Sequence, residues 1–184
     1  MNETINTPKI SIKTMAFIGV MTAVTCILAP LSIPIGPVPI SLTNLVLYFT
    51  LYLLGTKNTA ISYIIYLLLG LVGLPVFSGF VGGPGKLFGP TGGYLIGFIP
   101  LILIAGFFMT KAQGKRIPEF LGMLLGTWVC YAIGTVWLSY SGGMSFKAAL
   151  LAGVIPFIAE DIIKMIVAMI LGRKVKKQIG MFLS

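Results

Sequence analysis

The chain has no histidine, four carboxylates and two cysteines in 184 residues. Without histidine there is no Ser-His-Asp or Cys-His pair to activate a nucleophile, and four acids leave little material for catalysis. Cys26 and Cys130 have no metal-ligand spacing, and both sit in long apolar runs where a structural disulfide is not expected. Charged residues are only 9% of the chain, too few for a soluble domain of this size. Apolar residues take their place, at 57%, with a mean hydropathy of +1.03. Several runs reach the length of about 17–25 apolar residues needed to cross a bilayer. They are continuous rather than alternating, which argues against a membrane β-barrel. The expectation is an all-α integral membrane protein, one domain over residues 1–184.

Six transmembrane helices are expected, roughly at 14–33, 41–56, 58–75, 93–110, 119–140 and 146–172, the last interrupted by GVIP at Gly153–Pro156. The first apolar run is too long for a leader's h-region and lacks a small-residue cleavage site. The net charge of +9 does not point to nucleic acid, because the basic residues sit between the apolar runs. With a cytoplasmic N-terminus, Lys9, Lys13, Lys57, Lys111, Lys115, Arg116, Arg173, Lys174, Lys176 and Lys177 fall inside. Only Lys86 and Lys147 fall outside, and Lys164 lies within the membrane. That bias predicts N-in/C-in topology and a multi-pass protein of the cell membrane.

Two segments expected on the outer side are apolar yet unable to be helical throughout. One is APLSIPIGPVPIS, Ala29–Ser41, with four prolines; the other is PVFSGFVGGPGKLFGPTGG, Pro75–Gly93. Unpaired backbone cannot face lipid, so both segments must pack on protein or line a cavity. They read as lids over an outward-facing pocket, or as connectors packed on helix ends.

FIAEDIIKMIVAMIL, Phe157–Leu171, carries Glu160, Asp161 and Lys164 within an apolar stretch. At about 100° per residue the three share one helical arc of roughly 100°. Each charge facing lipid at mid-membrane costs about 2.5–3.5 kcal/mol, so the arc faces protein or water. Read from the residues alone, it is either an ion pair between helices or a ligand site, with Asp161 as acceptor and Lys164 as cation. Glu160 ranks below both. Two ridges of small residues let helices approach closely. One is Ala16, Gly19, Ala23 and Cys26; the other is Gly122, Gly126, Cys130 and Gly134. Either could serve internal packing or the docking of another subunit. GGPGKLFGP is not a P-loop, since Phe80 and Leu87 stand where a glycine and a Ser/Thr are required. Any ATP must be bound by a partner.

Three segments carry a family resemblance: GLVGLPVFSGFVGGPGKLFGPTGGYLIGF at Gly70–Phe98, IGPVPISLTNL at Ile35–Leu45, and GVIPFIAEDIIK at Gly153–Lys164. Together they resemble the BioY family, biotin-specific substrate-binding (S) components of energy-coupling factor (ECF) transporters. The resemblance implies a six-helix S-component bundle with an outward-facing biotin pocket and no cofactor. Asp161 and Lys164 match the family's D-x-x-K motif, so Asp161 would accept a ureido N–H, and Lys164 would contact biotin or balance Asp161. Asn44, Phe77, Phe80 and Tyr94 lie in matching segments and are expected in the pocket wall. Ala16, Gly19 and Ala23 resemble the family's contact with a transmembrane coupling subunit, and two ATPase subunits would complete the complex. Ala159 and Glu160 depart from the family's Pro-Gly before the aspartate, and Thr43 stands where glutamine is common. The implied function is high-affinity biotin capture outside and delivery inward. The alternative is a stand-alone oligomeric vitamin transporter or facilitator. An intramembrane enzyme using Glu160 and Asp161 as an acid–base pair is disfavoured, because adjacent helical positions point about 100° apart.

Overall fold

The computed structural model describes residues 11–183, so Lys9, one of the topology lysines, lies outside the described residues. Helix α1, Ile12–Leu28, starts where the Ser11 hydroxyl accepts the Thr14 N–H at 3.1 Å, and stops before Pro30. An antiparallel hairpin follows, β1 (Ser32–Ile33) with β2 (Ile40–Ser41), Ser32 opposite Ser41. Pro34, Pro37 and Pro39 occupy its tip, and because proline donates no ladder bond the strands stay two residues long.

Helix α2, Thr43–Leu71, is two arms joined at Gly55, whose φ of 72° and ψ of 176° only glycine adopts readily. Side-chain contacts fix the direction of each arm. In the first, Tyr52 bonds Glu119 and Tyr48 bonds Thr127, so it runs antiparallel to α5, Arg116–Ser141. In the second, Thr56 abuts Gly106 and Tyr63 donates to the Leu95 carbonyl, so it runs antiparallel to α4, Gly92–Lys111. The chain therefore reverses at Gly55, two residues before Lys57, where the expected spans divide. Gly55 and the α4–α5 turn mark one end of the bundle, the bend end. The β-hairpin and the short α3, Pro84–Leu87, mark the other, the hairpin end.

The expected sixth span is not one helix. Helix α6, Phe146–Gly153, gives way to a 3-10 turn at Ile155–Phe157, and α7 runs from Ile158 to Leu183. Pro156 has no N–H to continue the helix, which forces the break. The second small-residue ridge is an internal seam. A Cβ at Gly122 would strike Phe108, at Gly126 the Leu101 backbone, and at Gly134 the Tyr94 ring. Gly93 and Gly97 of α4 answer from the other side, against Trp137 and Cys130. The first ridge faces away from the bundle: Ala16, Gly19 and Ala23 are exposed, and a Cβ at Gly19 meets nothing within 4 Å. By length and composition α4 and α5 are able to cross a membrane, and α1 is a shorter apolar helix. Tyr48, Tyr63, Tyr66, Phe77, Leu101, Met123 and Met165 are buried at the centre.

Candidate functional site

A cavity opens beneath the hairpin end. Asn44 reaches it from α2, Tyr94 and Phe98 from α4, Thr127 and Tyr131 from α5, and Asp161 and Lys164 from α7, with Val38, Pro39 and Ser41 closing it from the hairpin side. Asp161, 5% exposed, is its polar centre. Its Oδ1 accepts from Asn44 Nδ2 at 2.5 Å and its Oδ2 from the Tyr131 hydroxyl at 2.5 Å. Lys164 Nζ donates to Glu160 Oε1 at 2.9 Å, to Asp161 Oδ1 at 3.4 Å and to the Ser41 carbonyl at 2.6 Å. All three of its protons are engaged. Lys164 therefore bridges the two acids, offsetting one of their charges, and ties the hairpin to α7. The Asn44 amide uses one hydrogen on Asp161, and its Oδ1 accepts the Leu45 N–H at 3.0 Å, so its second hydrogen remains for a solute.

Thr127 lines the cavity and is backed by the buried Tyr48 hydroxyl. Thr127 spends its own proton on the Met123 carbonyl at 2.8 Å, so Tyr48 donates to it. Phe98, Leu95 and Phe157 supply apolar wall. Tyr94 fits because Gly134 and Gly153 leave room for it; a Cβ at either would collide with its ring or hydroxyl. The free space open to water is about 80 Å³, so a bicyclic solute enters only when lining groups move. The two proline- and glycine-rich segments at the hairpin end touch, Gly79 N donating to the Pro30 carbonyl at 3.0 Å, and Trp137 holds the second by donating to the Gly89 carbonyl at 3.0 Å. Half-burial in that glycine-rich segment pushes the Lys86 ammonium below its ordinary range.

Of the residues singled out in the sequence, Asp161, Lys164, Asn44 and Tyr94 meet in this cavity. Phe77 and Phe80 do not line it. Phe77 is fully buried, its ring edge-on to Tyr66 at 5.5 Å and seated on Gly70, where it anchors the glycine-rich segment. Phe80 sits on a turn with φ of 58° that throws its ring outward, 63% exposed, into a separate groove with Leu31 and Ile33. Ser78, between them, is the residue of that turn which reaches the cavity. Sequence reasoning missed Tyr131. The signal is there: Thr127, Tyr131 and Thr135 repeat every four residues beside the glycine ridge, a polar stripe on an otherwise apolar helix.

The sequence and the overall fold match known proteins. The family model described as BioY family covers residues 1–181. The chain belongs to the BioY family. It is 35% identical over 158 residues to biotin transporter BioY2 of Lactococcus lactis, spanning 86% of this chain and 87% of that one. It is 37% identical over 164 residues to a probable biotin transporter BioY of Pyrococcus horikoshii, spanning 89% and 96%. Among solved structures it superposes on the crystal structure of the S component for biotin from an ECF-type ABC transporter. The TM-score is 0.82 at 35% identity, covering 90% of this chain and 92% of the other. As a BioY family member the chain is a transport protein rather than an enzyme, and with its apolar helices it is a membrane protein.

Proposed function

We propose that this chain is the high-affinity biotin-capturing S component of an ECF-type uptake system. It crosses the membrane six times with both termini in the cytoplasm, and its pocket opens outward. The crossings are α1, the two arms of α2, α4, α5 and α7. The lysine and arginine bias between them supports the orientation. A transmembrane coupling subunit, docked on the outward ridge of Ala16, Gly19 and Ala23, and two ATPases would drive release inward.

The observation that carries this reading is the buried Asn44–Asp161–Tyr131 cluster. Biotin's ureido group has two N–H donors and one carbonyl acceptor. A carboxylate has about four lone-pair sites. Three of Asp161's are used, which leaves it able to accept one ureido N–H. The Tyr131 oxygen, whose proton goes to Asp161, accepts the other. The spare Asn44 hydrogen serves the ureido carbonyl. Phe98 and Phe157 cover the thioether ring. Lys164 has no free proton, so it balances Asp161 and holds the hairpin lid through Ser41.

The test is biotin binding to the detergent-purified chain, by tryptophan fluorescence or calorimetry, with Asp161→Ala in parallel. A hydrogen bond to a charged group is worth about 1.5–3 kcal/mol, so the variant should bind more than about tenfold more weakly. Unchanged affinity removes Asp161 from the site, and a folded wild type that ignores biotin removes the solute. The exposed α1 ridge would also fit a second copy, as a stand-alone transporter requires. Uptake into liposomes by this chain alone would favour that reading, and uptake only with an ATPase complex favours the first.

A further inference from the structure

The bend end holds a second, larger cavity, with about 670 Å³ open to water. It shares no lining residue with the first. The fully buried Tyr48 of α2 and Met123 of α5, which line neither, fill the bundle between them. Its polar lining includes Thr56, Gln113, Glu119, Arg173, Lys176 and Lys177, and Leu51 and Met109 give it an apolar side. Glu119 is the one carboxylate lining it among the described residues, and that charge is already spent. It accepts from the Tyr52 hydroxyl at 2.8 Å and from Arg173 Nε at 3.0 Å, with Arg173 Nη2 at 2.6 Å. Arg173 also donates to the Gly114 carbonyl at 2.8 Å, which fixes its plane.

Glu119 and Arg173 cancel, and the two lysines remain. Neither meets a carboxylate among the described residues, so the cavity carries a surplus of two positive charges. Gln113 adds an amide at the rim. It holds φ of 47° at the end of α4, where glycine is the usual residue, so an amide side chain is kept here at a backbone cost. The lining is therefore rich in donors, and the charge of its one carboxylate is paired with Arg173 through Oε2. We propose that this cavity is a binding site for a phosphate-bearing anion, either a phospholipid headgroup or free phosphate. Several acceptor oxygens around one centre suit two ammonium groups and an amide, and Leu51 and Met109 offer an acyl chain a path alongside. The topological bias of lysines toward this end does not require a cavity. Lys174, at the same end of α7, stays outside the lining and serves as the control.

The test uses the full chain in neutral detergent. Thermal unfolding is followed with added phosphatidylglycerol, phosphatidylcholine or inorganic phosphate, and native mass spectrometry counts retained lipid. The comparison set is wild type, the Lys176→Gln/Lys177→Gln pair and Lys174→Gln. Phosphatidylglycerol should stabilise wild type and Lys174→Gln alike, with an apparent affinity at least about tenfold weaker in the double variant. Stabilisation by inorganic phosphate with the same variant pattern would assign the ligand to solution. A response to phosphatidylglycerol alone would assign it to the bilayer. Equal responses to phosphatidylglycerol and phosphatidylcholine, or a shift undiminished in the double variant, would overturn the site. None of these readouts depends on biotin, so failure here and failure of the biotin reading are separable.

Discussion

Three charges in one helical turn of α7 do different jobs, and their partners decide which. Asp161 is buried and takes its bonds from Asn44 and Tyr131, whereas Glu160 is more open and meets only Lys164. Replacing Tyr131 with Phe keeps the ring against Trp128, 6.0 Å between centroids, and removes only the hydroxyl. Biotin affinity should fall about tenfold by calorimetry, since the oxygen that accepts one ureido N–H is lost and Asp161 loses a donor that positions it. Glu160→Gln should change affinity by less than about threefold, because Lys164 keeps Asp161 and Ser41 as partners. A larger loss there would give Glu160 a direct part in binding. The polar arc of α7 was legible in the sequence because helical periodicity alone puts it on one face. Its partners were not, since Asn44 lies 117 positions from Asp161 and Tyr131 lies 30. Only the fold brings them together. Phe77 and Phe80 show the converse, since a glycine-rich turn sends neighbouring aromatics to the core and to the surface, and composition does not say which.

At the scale of the element, two ridges that look alike in sequence have opposite surroundings. The α5 ridge is closed against α4, and a methyl at Gly126 would lie 2.9 Å from the Leu101 carbonyl. Gly126→Ala should therefore lower stability by about 1–3 kcal/mol, the usual range for overpacking a tight seam. Gly19→Leu points into open space and should leave thermal unfolding and biotin binding unchanged. If the α1 ridge is the docking face for a coupling subunit, the same substitution should abolish ATP-driven uptake in proteoliposomes. A stable, binding-competent variant that still transports would move the docking face elsewhere. Periodicity located both ridges and the helices that carry them. The reversal at Gly55 was displaced by two residues, because Lys57 marks the charge boundary while glycine marks the backbone that turns. The break at Val154–Phe157 was visible as GVIP, yet whether it kinks one helix or separates two depends on α6 packing against α5, which no local pattern records.

Across the whole molecule, α5 and α7 are clasped at two separate places. Tyr131 meets Asp161 at the pocket, and Glu119 meets Arg173 at the bend end. Arg173→Ala strands a carboxylate that is 5% exposed and keeps only the Tyr52 hydroxyl. Breaking a buried pair costs about 3–5 kcal/mol, and the partial exposure of Arg173 brings the expectation toward the lower end. Replacing both partners together, Glu119→Leu with Arg173→Met, removes the stranded charge and should recover most of the loss. The pocket at the other end keeps its own clasp, so biotin affinity should hold in the double variant. Thermal unfolding of Glu119→Leu, Arg173→Met and the double closes the cycle. A double variant no more stable than Arg173→Ala would mean that the loss comes from the Arg173–Gly114 contact at the α4–α5 turn rather than from the buried charge.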